Sequence, residues 1–98
     1  MKKLAYSIYD SKLGMYKGLT LVDREGEIIR SAEGILTQDN DISKYPDDFT
    51  ICHVGEFNID TGAFVPAQSI KTVVKFWELR SQLLEKELTS DAIPTQPL

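Results

Sequence analysis

The chain has 98 residues, 42% of them hydrophobic, a single cysteine and a formal charge of -4. That length suits one domain with a thin core, one that hides about 60–65% of the surface its unfolded form exposes. Cys52 alone excludes an intrachain disulfide and a thiolate zinc centre, and no stretch approaches the ~18 apolar residues of a membrane span. The acidity is uneven. Residues 1–22 carry Lys2, Lys3, Lys12 and Lys17 against Asp10, residues 23–60 hold three basic residues against ten acids, and residues 61–98 balance. The molecule as a whole is therefore a poor polyanion binder, while its N-terminal end is locally cationic.

Only Leu4-Ala5 follow Met1-Lys2-Lys3 before polar residues begin, so no signal peptide is expected. Residues 3–9 alternate, with Leu4, Tyr6 and Ile8 on one side and Lys3, Ala5, Ser7 and Tyr9 on the other, which predicts a half-buried strand. Asp10-Ser11-Lys12 and Gly14 break it. Met15-Tyr16 and residues 18–22 read as a loop or a short extended piece.

Asp23 is placed to cap a helix, and Ile28, Ile29, Ala32, Ile35 and Leu36 repeat at the spacing of one helical face. Glu25 and Glu27 fall near the first turn, where the helix dipole favours acids. A helix is predicted over 24–37 and ends at residues 38–41. A single turn over 42–45 is compatible with Pro46, and Asp47-Asp48 lead into the next strand.

Residues 49–65, FTICHVGEFNIDTGAFV, read as a β-hairpin. Aromatic and β-branched residues fill the first strand, Asp60-Thr61-Gly62 supplies the turn, and Gly62 suits a left-handed position. Pro66 marks an edge or the end of the return strand. A second helix is predicted over 72–88, capped by Ser69 or Thr72. Its apolar sector, including Val73, Val74, Phe76, Trp77, Leu83 and Leu84, is broad enough to serve both a core and a partner chain.

No residue set converges on catalysis. His53, the only histidine, shares its alternation with Phe49, Ile51 and Phe57 and reads as a half-buried strand residue. Cys52 beside it faces the other way and reads as a small buried hydrophobe. Asp39, Asp41, Asp47, Asp48, Glu56 and Asp60 do not follow the spacing of a calcium loop, and the six glycines build no phosphate-binding loop. No metal or cofactor is expected. The remaining signal is that Lys2, Lys3, Lys12 and Lys17 interleave with Tyr6, Tyr9 and Tyr16, a pattern that an ordinary lysine-decorated strand with tyrosines at its rim also gives. Cations that track phosphates and rings that stack on bases are what holds a single-stranded nucleic acid. Tyr9, on the side away from Leu4 and Ile8, is the better stacking residue; Tyr6 belongs to the core.

Several phrases occur together in order. LAYSIYDSK at 4–12, EIIR at 27–30, YPDDF at 45–49, VGEF at 54–57 and Asp60-Thr61-Gly62 resemble segments of the small non-structural proteins of gokushoviruses, tail-less single-stranded DNA phages of the Microviridae. Tyr45 and Asp47 depart from the family's segment, and nothing in residues 73–88 carries the resemblance. It implies a non-structural protein in the cytoplasm of the infected bacterium, and with no catalytic set in the sequence no enzyme is expected. It further implies binding to single-stranded DNA during genome synthesis or packaging.

The resulting expectation is an α+β domain over residues 1–88. A small antiparallel sheet of strands 3–9, 49–58 and 63–66 is packed by helix 24–37, helix 72–88 follows, and 89–98 form a flexible tail. Lys2, Lys3, Tyr9, Lys12, Tyr16, Lys17 and Arg30 are the expected DNA contacts. Phe76, Trp77 and Leu84 are the expected interface. That interface would serve a homo-oligomer or, in the alternative reading, docking on a phage or host replication or assembly protein.

Overall fold

The computed structural model describes residues 1–92, with side chains described through residue 86. Four antiparallel strands form one sheet in the order β2-β1-β3-β4: β1 (Lys2–Asp10), β2 (Met15–Val22), β3 (Phe49–Asn58) and β4 (Phe64–Lys75). Helix α1 (Glu25–Leu36) and the single turn α2 (Asp41–Lys44) connect β2 to β3, with a 3-10 turn at Pro46–Asp48. Helix α3 (Phe76–Ala92) follows β4 directly.

The alternation of β1 sorts its side chains as expected. Tyr6, Leu4 and Ile8 join Phe49 and Ile51 of β3 beneath Ile28, Ala32 and Leu36 of α1 and Phe76 and Leu79 of α3. Both long helices thus cover one face of the sheet. Glu27 opens α1 by accepting hydrogen bonds from the backbone N–H groups of Asp23 and Arg24 at 2.8 and 2.9 Å. Asp23 is not the cap; Arg24 occupies that position, and Asp23 pairs with Lys3 instead. Asn40 caps α2 by accepting from Ser43 N–H at 2.8 Å, and the guanidinium of Arg80 ties α3 to α2 through Ser43 O at 2.7 Å.

Two boundaries differ from expectation. The segment read as a loop or short extended piece is the full edge strand β2. Its apolar residues Leu19 and Leu21 point away from the helices, so no core-facing alternation announced it. The return strand of the second hairpin does not stop at Pro66 but runs to Lys75, so Thr72, Val73 and Val74 are strand and neither Ser69 nor Thr72 caps a helix. Pro66 is accommodated because β4 is an edge. The helix starts at Phe76, where Glu78 accepts from the backbone N–H of Lys75 at 3.3 Å. It continues through Ala92, past the expected helix end at 88, and residues 93–98 of the expected tail lie outside the described residues.

The turn at 58–63 forms as read. Gly62 takes φ 79°, a left-handed conformation that glycine adopts without steric cost, and its N–H reaches Asn58 O at 2.7 Å. Asn58 Oδ1 also accepts from the N–H groups of Asp60 and Thr61. The amino terminus, beside this turn, pairs with Asp60.

Candidate nucleic-acid interface

With both helices on one side, the other face of the sheet is left uncovered. Strand register lays its residues out in four rows. The first row runs Tyr16, Tyr9, Thr50, Lys75 across β2, β1, β3 and β4. The second is Ser7, Cys52 and Thr72, and the third Leu21, Ala5, Gly55 and Pro66. The fourth is Lys3, Phe57 and Phe64. Same-face rows are two residues apart along a strand, so the first and last rows lie about 20 Å from each other.

The middle rows form a low floor. Ala5, Ser7, Cys52 and Gly55 are buried, and Ala5 and Cys52 lie outside the helix-covered core. Short side chains at the centre of a sheet fall below the rim set by larger neighbours. Ser7 satisfies its hydroxyl by donating to Gly18 O at 2.6 Å, within the β2 bulge, and burial pushes the Cys52 thiol up against a smaller opposing hydrogen bond from Thr72.

Rings stand at both ends of the floor. Tyr9 and Tyr16 have centroids 4.9 Å apart at a tilt of 51°. At the far end Phe57 opposes Phe64. The Phe64 ring crosses to Gly55, where a Cβ would come within 2.6 Å of it and 2.5 Å of Val65 O. Glycine at 55 is therefore the condition for the ring to occupy this position. Tyr16 is 49% exposed and Phe64 41%, so ring surface is open at both ends.

The expected site residues divide. Tyr9 and Tyr16 are brought together on this face. The four lysines are not gathered into one patch. Lys2 and Lys3 lie at one end of β1, and Lys12 and Lys17 at the other. Lys3 is paired with Asp23. Lys17 faces the helix side, 3.1 Å from Asp10 and with its ammonium 5.7 Å from the centre of the Phe49 ring. Lys12 is exposed in the β1–β2 turn, beside Tyr45 and Asp48, and Arg30 is exposed on α1, on the opposite side of the sheet. Both stand apart from the ring-bearing face. Phe76 is no interface anchor: it is fully buried in the chain's own core, because it begins α3 where the helix meets the sheet. Trp77 and Leu84 are 43% and 52% exposed.

Phe57, Phe64 and Lys75 share the face but escaped the sequence reading. Phe57 has the alternation of His53 on paper. An extra residue at Val54, where the pairing shifts between Tyr6–His53 and Ala5–Gly55, turns Phe57 to the uncovered side. A bulge is the one local event that reverses alternation, and Gly55 was its visible trace. Lys75 falls within the run that the sequence predicts as helix over 72–88, whereas it ends β4.

On the covered side Asp10 is buried, and burial alone would raise its carboxyl. A hydrogen bond from Lys17 and others from the N–H groups of Leu13 and Lys12 outweigh that and hold it below the ordinary carboxylate value. Burial, reinforced by Glu25, pushes the Tyr6 hydroxyl up to about 12. His53 stands edge-on to Tyr6 with centroids 5.3 Å apart, and its buried Nε2 lacks a hydrogen-bond partner. Cys52 is on the other face, so the two do not form a nucleophile–base pair. Among the described residues, no three of His, Cys, Asp or Glu gather as metal ligands, and no helix is long and apolar enough to cross a membrane.

Residues 3–79 match the family model described as Phage ORF5 protein. The chain is 31% identical over 96 residues to Protein ORF5 of Chlamydia phage 1, an alignment that covers 90% of this chain and 100% of that protein. No solved structure matches it.

Proposed function

The chain belongs to the Phage ORF5 protein family, and from that premise we propose that it is a non-enzymatic accessory protein that binds single-stranded DNA on the uncovered face of its sheet. It would act in the cytoplasm of the infected bacterium, in synthesis or packaging of the single-stranded genome. The observation that carries this reading is the pair of ring-bearing rows, Tyr9 with Tyr16 and Phe57 with Phe64, flanking a floor of small side chains.

Bases are flat and apolar on their faces. They fit against exposed rings such as Tyr16 and Phe64, and stacking contributes roughly 1–3 kcal/mol per base. The strand runs between the two ring pairs with its bases toward the sheet and its phosphates outward. Lys75 at the Tyr9 row is the cation best placed to meet a phosphate. Lys3 would have to leave Asp23 to do so. Binding is thus dominated by stacking, which reconciles a nucleic-acid ligand with an acidic chain.

Fluorescence anisotropy with labelled oligo-dT at 50 mM and moderate salt tests this. Tyr16→Ala and Phe64→Ala are each expected to weaken binding by about 5- to 150-fold, the equivalent of one lost base stack. Arg30→Ala, on the opposite side, is expected to bind as the parent does. Absence of binding at low salt, or variants that bind like the parent, would reject the reading.

A second reading rests on Trp77 and Leu84, which are exposed and seven residues apart on α3. They form a stripe suited to a phage or host protein, or to a second copy of this chain. Loss of a captured replication or assembly protein on Trp77→Ala, with oligonucleotide binding absent from both proteins, would favour it.

A further inference from the structure

The two edges of the sheet are defended unequally. Edge strands expose unpaired N–H and C=O groups, and monomeric proteins blunt them with charges, proline or irregularity. β4 has all three: Pro66, the exposed Lys71 and Lys75, and a break in pairing between His53–Lys71 and Gly55–Pro66. β2 shares the irregularity, having a bulge of its own, but it has no proline and a single charge, Lys17, which is paired with Asp10. Its other side chains are uncharged, and Met15, Leu19 and Leu21 are 50%, 57% and 39% exposed.

β2 is also its own complement. Its bulge divides two regular runs of equal length, residues 15–17 and residues 20–22. A two-fold axis at the bulge sets each run antiparallel to the other run of a second copy. Met15 then opposes the second copy's Val22, on the helix side of both sheets. Tyr16 opposes its Leu21, on the uncovered side, and Lys17 opposes its Thr20. Every pair shares a face, and no like charges meet. A one-residue slip would set side chains against the wrong face. Aromatic–aliphatic cross-strand pairs of this kind stabilise antiparallel sheets, and an isologous contact closes at two copies.

We infer that β2 is a self-association edge, joining two copies of this chain into a continuous eight-stranded sheet. The junction leaves the uncovered faces of both copies side by side on one surface. This inference does not depend on what that surface binds.

Light scattering coupled to size exclusion, run over a concentration series, tests it. The full chain, of 11.1 kDa, is expected at twice its mass. Leu21→Lys and, independently, Leu19→Lys are expected to return it to monomer mass with unchanged far-ultraviolet circular dichroism. Trp77→Ala is expected to remain dimeric. Amide exchange in β2 of the parent is expected to slow as concentration rises, a readout that needs no variant. A parent that stays monomeric, charge variants that stay dimeric, or a Trp77→Ala protein that becomes monomeric would each overturn the inference. Oligonucleotide affinity decides none of these outcomes, so failure here is separable from failure of the DNA-binding reading.

Discussion

At the scale of single residues, Asp10 shows how one side chain serves a strand and a turn together. It closes β1, accepts from Lys12 and Leu13 N–H in the turn, and meets Lys17 across the hairpin. Its native carboxyl lies below the ordinary 3.8. The stability it contributes is complete above that value and is lost as pH falls through the lowered native one. Urea midpoints measured between pH 7 and pH 2.5 are expected to fall less steeply for Asp10→Asn than for the parent over the acid part of that range. Tyr6 has the opposite sign. Its native value of about 12 exceeds the ordinary 10.0, so its contribution is complete below pH 10 and is lost as pH rises towards 12. Gly55 is a matter of space: an added Cβ would collide with Val65 O and the Phe64 ring. Gly55→Ala is expected to cost about 1–3 kcal/mol in chemical denaturation, and also to displace the Phe64 ring, seen as altered aromatic-proton shifts in NMR spectra.

At the scale of elements, the hairpin turn at 58–63 and α1 are the locally legible parts. Asn58, Asp60 and Gly62 build their turn from bonds within six residues, and the spacing of Ile28, Ala32 and Leu36 shows the buried face of α1 directly. Leu36→Ala should remove a fully packed side chain and lower the unfolding free energy by about 2–5 kcal/mol. Ser31→Ala, at an exposed α1 position, should change it little. The junction of β4 and α3 was not legible in the same way. Val73, Val74, Phe76 and Leu79 all reach one core, so the same apolar run satisfies a strand end and a helix start. Register against β3 selects the strand through Lys75, because Val74 pairs with Ile51 and Lys75 with Thr50.

At the scale of the whole molecule, charge placement separates this protein from a conventional polyanion binder. Two of the four N-terminal lysines are engaged by acids, and the four do not share a face. Each phosphate neutralised on a single strand contributes about −0.7 to the slope of log affinity against log salt. With Lys75 and one or two further cations engaged, the slope for oligo-dT is expected between about −1.4 and −2.1, measured by anisotropy between 50 and 200 mM salt. A slope several times steeper would mean a basic groove rather than a stacking surface. Two sheets joined at β2 would also offer two such surfaces to one strand, raising avidity without a new contact.

Residue order was enough to specify one α+β unit, the alternation of β1, the buried face of α1 and the 58–63 turn, because each depends on neighbours within a few positions. Membership in the phage group was likewise readable from short ordered phrases. The make-up of the ring-bearing face was not. Phe57 reaches it through a bulge defined by pairing with β1, Phe64 and Lys75 through register with β3, and Lys17 leaves it for Asp10. Which side of a strand a residue occupies depends on a partner strand distant in the chain, and cross-strand hydrogen bonding has to form before that assignment exists.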